Sequence, residues 1–483
     1  MYIFPFLFFS GEEVCRDMNR EKERYLFESS PVFRAIVSLA LPSVLGQIIL
    51  VIYNMADTYF VGLTGSDEKL AAVTVCMPAF MFLSAVANLF GIGGASVVSR
   101  MLGSGKREQA RMASSFAFWG CAFTAGIYSL GVFLFADRFV DLLGGSDPLI
   151  HLWAREYLLV AVAAGGVITA TNTLLSHLIR SEGRSLQASL GIVIGGLCNI
   201  ALDPVFMFVI LPRGNEVLGA ALATMFSNVV TLVYYTVFII SPRRKLILSV
   251  KPKAGMFKGG IPRDVIVIGI PACLMTLCEN ISYAILEKLM SAYNTAPLTG
   301  IGIAKKVNML AHSVVRGMAQ GVLPLIGYNY ASGNRTRMRR VVKLSATVSL
   351  AVSLFCMGAG LLFSRQLIGI FIQGEGSASL SYGAAFLRIL CVGAPFSAWA
   401  YTVISFFQAT GHMERSLILA LLRKGILDIP LMFVLNRYFG RYGLVSATPI
   451  ADVVCCITAA ALFLVFIAHH GKDKLERMAL RDV

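Results

Sequence analysis

The chain has 483 residues, 57% hydrophobic and 14% charged, with a formal net charge of +15. Soluble globular proteins carry about 25% charged residues, so the composition excludes an ordinary soluble domain. The positive excess does not mark a nucleic-acid binder either, because basic residues cluster in short connections between apolar runs.

Six stretches run without Asp, Glu, Lys or Arg: Ile36–Ala56, Ala71–Ser99, Met112–Ala136, Tyr157–Ile179, Val217–Ser241 and Leu344–Ser364. Each is long enough for a helix to cross a hydrocarbon core of about 30 Å, which takes about 20 residues. In chain order the pattern predicts spans near 34–62, 70–99, 113–138, 150–179, 186–211 and 216–240. After a linker the series resumes near 264–290, 298–328, 342–370, 378–409, 416–437 and 442–469. Prolines at 42, 78, 204, 271, 324, 395, 430 and 449 suggest bends. Lipid tolerates such bends only where protein or water satisfies the freed carbonyls.

Basic residues gather in alternate connections, among them Lys106, Arg107 and Arg111, then Arg243, Arg244 and Lys245, then Arg335, Arg337, Arg339 and Arg340. The intervening connections are poor in them, which puts the basic loops and both termini on the cytoplasmic side. The expected divisions are an N-terminal cytoplasmic segment (1–29), a six-helix lobe (30–241) and a basic cytoplasmic linker (242–262). A second six-helix lobe (263–470) and a cytoplasmic tail (471–483) follow. The opening apolar stretch is too short for a span and lacks the basic leader of a signal peptide, and Met18 is a rival initiator to Met1. Ten cysteines lie mostly in apolar spans without C-x-x-C spacing, which is the pattern of small buried side chains.

The two halves repeat one another. "MLGSGKREQARM" follows the second span and "YNYASGNRTRMRR" the eighth, so that Gly105 matches Gly333. Gly183 matches Gly411 at the same offset. At a slightly shorter one Gly219 matches Gly443, Thr224 matches Thr448 and Asn228 matches Asp452. Halves that each cross an even number of times keep one orientation and are related by an axis along the membrane normal, a plan used by transporters. The expected fold is all-α: twelve transmembrane helices in two lobes related by a pseudo-twofold axis.

Asp57 stands in the first span with Asn54 one turn before it and Gln47 nearly three turns away. In the fifth, Asn199 and Asp203 are four residues apart on one helix face. An unpaired carboxylate in the membrane costs about 2.5–3.5 kcal/mol by insertion scales. Two in one pocket cannot both stay ionised, so one takes a proton or a cation sits between them. The second half carries Glu279 beside Asn280, and also Arg388, Arg423, Lys424, Asp428 and Asp452. Lys424 and Asp428 can pair, whereas Glu279 has no partner nearby in sequence and is a candidate contact for a cationic group. No G-x-x-x-x-G-K-[ST] loop, H-E-x-x-H or G-x-S-x-G motif occurs, which argues against direct ATP use and against an enzyme.

Taken together, "PSVLGQIILVIYNMADTYFVG", "GASVVSRMLGSGKREQA", "SEGRSLQASLGIVIGGLCNIALDPVFMF", "GAALATMFSNVV" and "GYNYASGNRTRMRR" give a chain that resembles the multidrug and toxic compound extrusion (MATE) family over roughly residues 30–470. The resemblance implies a multi-pass antiporter of a bacterial cytoplasmic (inner) membrane, exporting amphipathic, mostly cationic compounds against H⁺ or Na⁺ and using no cofactor. It assigns ion coupling to Asp57, Asn199 and Asp203, the candidate Na⁺ ligands, with Thr224 as a further member. Gln47, Asn54, Glu279 and Asn280 are candidate substrate contacts. The tenth span lacks the acid found in one branch of the family and offers only Arg388, which favours coupling through the first lobe. The expected partners are small molecules and membrane lipids, with no nucleic acid, and the chain is expected to act as a monomer. The alternative reading is a flippase for lipid-linked oligosaccharide precursors, which would need basic residues in its cavity; Arg388, Arg423 and Lys424 keep it open.

Overall fold

The computed structural model describes residues 24–144, 147–241, 246–372 and 378–479, with the side chains of Asp67, Ala254 and 469–479 left out. Met1, Met18, Arg243, Arg244, Lys245 and the side chains of the basic tail lie outside the described residues. Among the described residues every regular element is a helix.

The first half runs α1 (Val32–Gly62), α2 (Asp67–Gly103), α3 (Arg107–Leu134), the short α4 (Ala136–Leu143), α5 (Pro148–Tyr157), α6 (Gly166–Ser181), α7 (Ser185–Pro204) and α8 (Glu216–Ile240). A π-helical stretch, Leu158–Ala164, joins α5 to α6, and another, Val205–Ile210, continues α7 past Pro204. The second half runs α9 (Ile261–Ser291), α10 (Thr295–Ala331), α11 (Arg335–Leu362), the short α12 (Ser364–Gly369), α13 (Ala378–Val392), α14 (Ala394–Thr410), α15 (Met413–Leu421) and α16 (Asp428–Ala479).

Eight helices are long and apolar enough to span a membrane, or ten when two pairs are each counted as one broken span. Those pairs bend by 50° in the first half and by 44° where α13 meets α14. The remaining two spans have local causes. α10 is 37 residues long but carries Lys305, Lys306 and Arg316. The apolar stretch Met413–Ala468 counts once at 56 residues, yet at 1.5 Å per residue it would run roughly 80 Å. Gly440 interrupts it, with φ 59° and ψ −146°, so it supplies two spans and the total of twelve is met. Pro42, Pro78, Pro271, Pro324 and Pro449 sit inside continuous helices. The expected breaks fall instead at Pro204, where the α-helix gives way to a π turn, and just before Pro395, in the first turn of α14.

The matched glycines behave as a repeat requires. Gly105 and Gly333 have φ of 77° and 78°, and Gly183 and Gly411 have φ of 81° and 83°. Each turns a helix end through the left-handed region that residues with a Cβ avoid.

The chain divides into two compact units: 1–269 with 320–341, and 270–319 with 342–483. In the first unit α7 packs along both α1 and α8. Small residues set that closeness, as in other membrane helix pairs. A Cβ at Gly46 would lie 3.3 Å from the Cβ of Ser189, and one at Gly196 would lie 3.0 Å from Ile49 Cγ2. α7 is thereby held between the two helices that carry Asp57 and Thr224.

Arg213 and Lys258 are exposed on opposite sides of α8 in sequence, which makes them probes of orientation. In a cysteine-depleted background, a thiol-reactive label that cannot cross the membrane should reach Arg213→Cys from outside and Lys258→Cys only from the cytoplasm. Labelling of both from one side would break the twelve-span arrangement.

Candidate functional site

In the first unit Asp57 of α1, Asn199 of α7 and Thr224 of α8 gather around Asp203. Its side chain is 0% exposed, Asn199 is 2% exposed and Asp57 7%. Four residues along one helix bring Asn199 over Asp203, and the Asn199 amide donates to Asp203 Oδ1 at 3.3 Å. The same Nδ2 lies 3.5 Å from Thr224 Oγ1. Asp57 is close enough for its charge to act on Asp203.

Two acceptors of this cluster, Asp203 Oδ2 and Asn199 Oδ1, are buried without a hydrogen-bond partner. Among the described residues no Lys, Arg or His forms an ion pair with Asp203. A buried polar atom without a partner normally has an explanation in an ion, a water or a functional role. Both orphaned atoms are oxygens, so whatever satisfies them is a proton, a water or a cation. Asn172 extends the network and was not foreseen from the sequence. Its amide donates to the carbonyl of Asn228 at 2.8 Å, and Asn228 donates to the carbonyl of Thr224 at 2.9 Å. An amide inside a long apolar run was the available signal.

Gln47 is buried, and its amide donates to Gln320 Oε1 at 3.2 Å. Asn54, one turn before Asp57, is exposed and donates to its own Leu50 carbonyl at 2.7 Å. Asn280 likewise donates to the Thr276 carbonyl of its own helix at 2.7 Å.

The second unit has a charged interior that the sequence reading saw only in part. Glu279 is not an acid awaiting a cation. Arg316 Nη2 donates to both its oxygens, at 2.9 and 3.1 Å, and lies 3.3 Å from the Tyr401 hydroxyl. The expectation that Glu279 meets a positive substrate is corrected on that ground: the partner lies on the next helix, out of sight of local spacing. Arg423 Nε donates to Asp452 Oδ1 at 2.7 Å, with the two side chains 1% and 2% exposed. Lys424 sits 3.5 Å from Asp428 as its spacing predicted, and Asp428 also accepts from Ser282 at 2.6 Å and Thr448 at 2.9 Å. Arg388 is exposed and donates to Ser364 Oγ at 2.8 Å. Arg316 and Lys305 were missed, although an ionisable residue within a span is itself a signal.

The two clusters share one framework. "NIALDPVFMF" (199–208) and "KGILDIPLMF" (424–433) match Asn199 to Lys424 and Asp203 to Asp428, and Thr224 and Thr448 stand beside them. In the second half an ammonium replaces the amide and neutralises the carboxylate from within. The first half keeps the carboxylate and lacks the cation. Among the described residues no three His, Cys, Asp or Glu side chains gather as a metal centre.

A twelve-span helical frame repeated in two halves, with a buried acid cluster in the first, defines a multi-pass membrane transporter. The MatE family model matches the chain twice, over 42–205 and 271–434, and the chain belongs to the MatE family. Multidrug export protein MepA of Staphylococcus aureus (strain MRSA252) is 27% identical over 448 residues, covering 93% of this chain and 96% of that protein. Its namesake in Staphylococcus saprophyticus is similar to the same degree over the same shares. Among solved structures, an outward-facing multidrug resistance MATE family transporter of the MOP superfamily superposes with a TM-score of 0.85 at 25% identity. That match covers 93% of this chain and 99% of the other.

The buried Arg423–Asp452 pair yields a stability prediction. Removing one charge leaves the other uncompensated and costs roughly 3–5 kcal/mol, whereas replacing both with apolar residues is often neutral. Thermal unfolding of purified protein should show a large loss for Asp452→Asn and substantial recovery in Arg423→Met/Asp452→Leu. Equal losses in the single and double variants would contradict the pairing.

Proposed function

We propose that the chain is a secondary antiporter that exports amphipathic, mostly cationic compounds in exchange for H⁺ or Na⁺ by alternating access. The observation that carries this reading is Asp203, fully buried, paired with no basic side chain among the described residues and left with an unsatisfied oxygen beside that of Asn199. Left ionised and alone, such a group is costly in a membrane. An entering H⁺ or Na⁺ would neutralise it, and the exported compound would be favoured when that ion is absent. The two ligands then prefer opposite states of one carrier, and their binding free energies are linked reciprocally.

In this reading Asp203 is the main coupling carboxylate, Asp57 shares its charge, and Asn199 and Thr224 complete the ion site. The relatives named as multidrug export proteins support the choice of substrate. Both termini face the cytoplasm, the membrane is the bacterial cytoplasmic one, and a single chain suffices for transport.

The test is efflux of a cationic dye from proteoliposomes under an imposed pH or Na⁺ gradient. Asp203→Asn, monodisperse and correctly inserted, should move dye no faster than protein-free liposomes, and Asp57→Asn should do nearly the same. Asn199→Ala should keep part of the transport while demanding more ion. Gradient-driven efflux by Asp203→Asn at the wild-type rate would return Asp203 to a structural role.

A further inference from the structure

The second unit encloses a small cavity lined by Glu279, Tyr283, Lys305, Asn308, His312, Arg423, Lys424, Thr448 and two leucines. Three cationic side chains therefore border it against one carboxylate, and that carboxylate is already held by Arg316 at 2.9 Å. Two of the cations have donors to spare. Arg423 is 1% exposed and spends Nε on Asp452, while its Nη1 is buried without a hydrogen-bond partner. Lys305 Nζ also makes no hydrogen bond. Glu287, half exposed, lies 3.6 Å from it, and the Tyr283 ring centroid is 4.0 Å away. An ammonium carries three donors and a guanidinium five, and buried donors left unmade are expensive. Asp428 and Asp452 are already engaged, since Asp428 accepts from Lys424, Ser282 and Thr448 and Asp452 accepts from Arg423.

We infer that this cavity is an anion site, receiving the carboxylate or phosphate headgroup of an amphipathic molecule between Lys305 and Arg423. The cavity has room for little more than one water-sized group, so it would take the oxygens of a headgroup rather than a whole drug, and an Arg donor edge beside a Lys suits carboxylate and phosphate oxygens alike. The consequence for substrate class is specific: the second unit takes the negative end of zwitterionic or anionic amphiphiles. The inference rests on the cavity alone, so loss of ion-coupled transport would leave it standing, and its failure would leave the coupling carboxylate untouched.

The test uses the full-length protein in maltoside micelles and two probes that share a fluorophore, 11-(dansylamino)undecanoate and dansylcadaverine, of opposite charge. Wild-type protein should bind the carboxylate probe. Lys305→Met should weaken that binding about tenfold, the equivalent of about 1.4 kcal/mol, and leave dansylcadaverine within about twofold, while Lys305→Arg should retain it. Competition distinguishes the source of the headgroup. Displacement by dodecyl phosphate but not by phosphatidylglycerol marks a solute site, and displacement by phosphatidylglycerol marks a lipid site; either outcome supports an anion site. Should Lys305→Met fail to fold, displacement from wild type still decides. A carboxylate probe displaced by neither anion, or weakened no more than dansylcadaverine by Lys305→Met, overturns the inference.

Discussion

The rest of the structure depends on how a carboxylate is neutralised where water is scarce. Asp203 and Asp428 occupy matched positions in the two halves, with Thr224 beside Asn199 in the first and Thr448 donating to Asp428 in the second. In the second half the question is answered inside the protein, because Lys424 stands one turn before Asp428 at 3.5 Å, with Ser282 and Thr448 adding hydrogen bonds. In the first half the corresponding residue is Asn199, a neutral amide that donates one bond at 3.3 Å and brings no charge. A side chain differing by one charge thus separates a fixed structural pair from a group that must find its counter-charge elsewhere. In the proposed antiport that counter-charge is the coupling ion.

Helix packing makes that group unavoidable. Gly46 and Gly196 let α1 and α7 approach until a Cβ at either would crowd the other helix, and α8 closes the opposite side of α7. Asp203 has no room to turn toward lipid or a membrane surface. Just beyond it Pro204 removes a backbone donor and the helix loosens into a π turn, a feature that recurs at functional sites. The second unit spends its ionisable residues differently. Arg316, Arg423 and Lys424 each hold an acid, and Lys305 lies 3.6 Å from the half-exposed Glu287.

Much of this was legible in the sequence, and the limits have physical causes. The spans followed from charge-free runs, the duplication from matched glycines that prove to share left-handed φ, and the Asn199–Asp203 face from a spacing of four. Asn54 is exposed and bonded to its own helix, which spacing alone could not tell, because no local rule says which side of a helix faces the protein. The partner of Glu279 lies 37 residues away on another helix, so spacing could not pair them. α10 carries Lys305 and Arg316 within a single 37-residue helix, and spacing gave no sign of what either would meet. Its cations are tolerated because they face other side chains, a property of packing rather than of composition.

The central claim is that Asp203 lacks an internal cation where Asp428 has one, and the most direct measurement supplies it. Asn199→Lys writes the second half's pair into the first. Dye affinity would be measured on purified wild-type and variant protein with and without saturating Na⁺, and across pH. The account predicts that wild-type affinity falls as the coupling ion binds and that Asn199→Lys, folded and monodisperse, binds dye with an affinity indifferent to that ion. Undiminished ion dependence in the variant would contradict it.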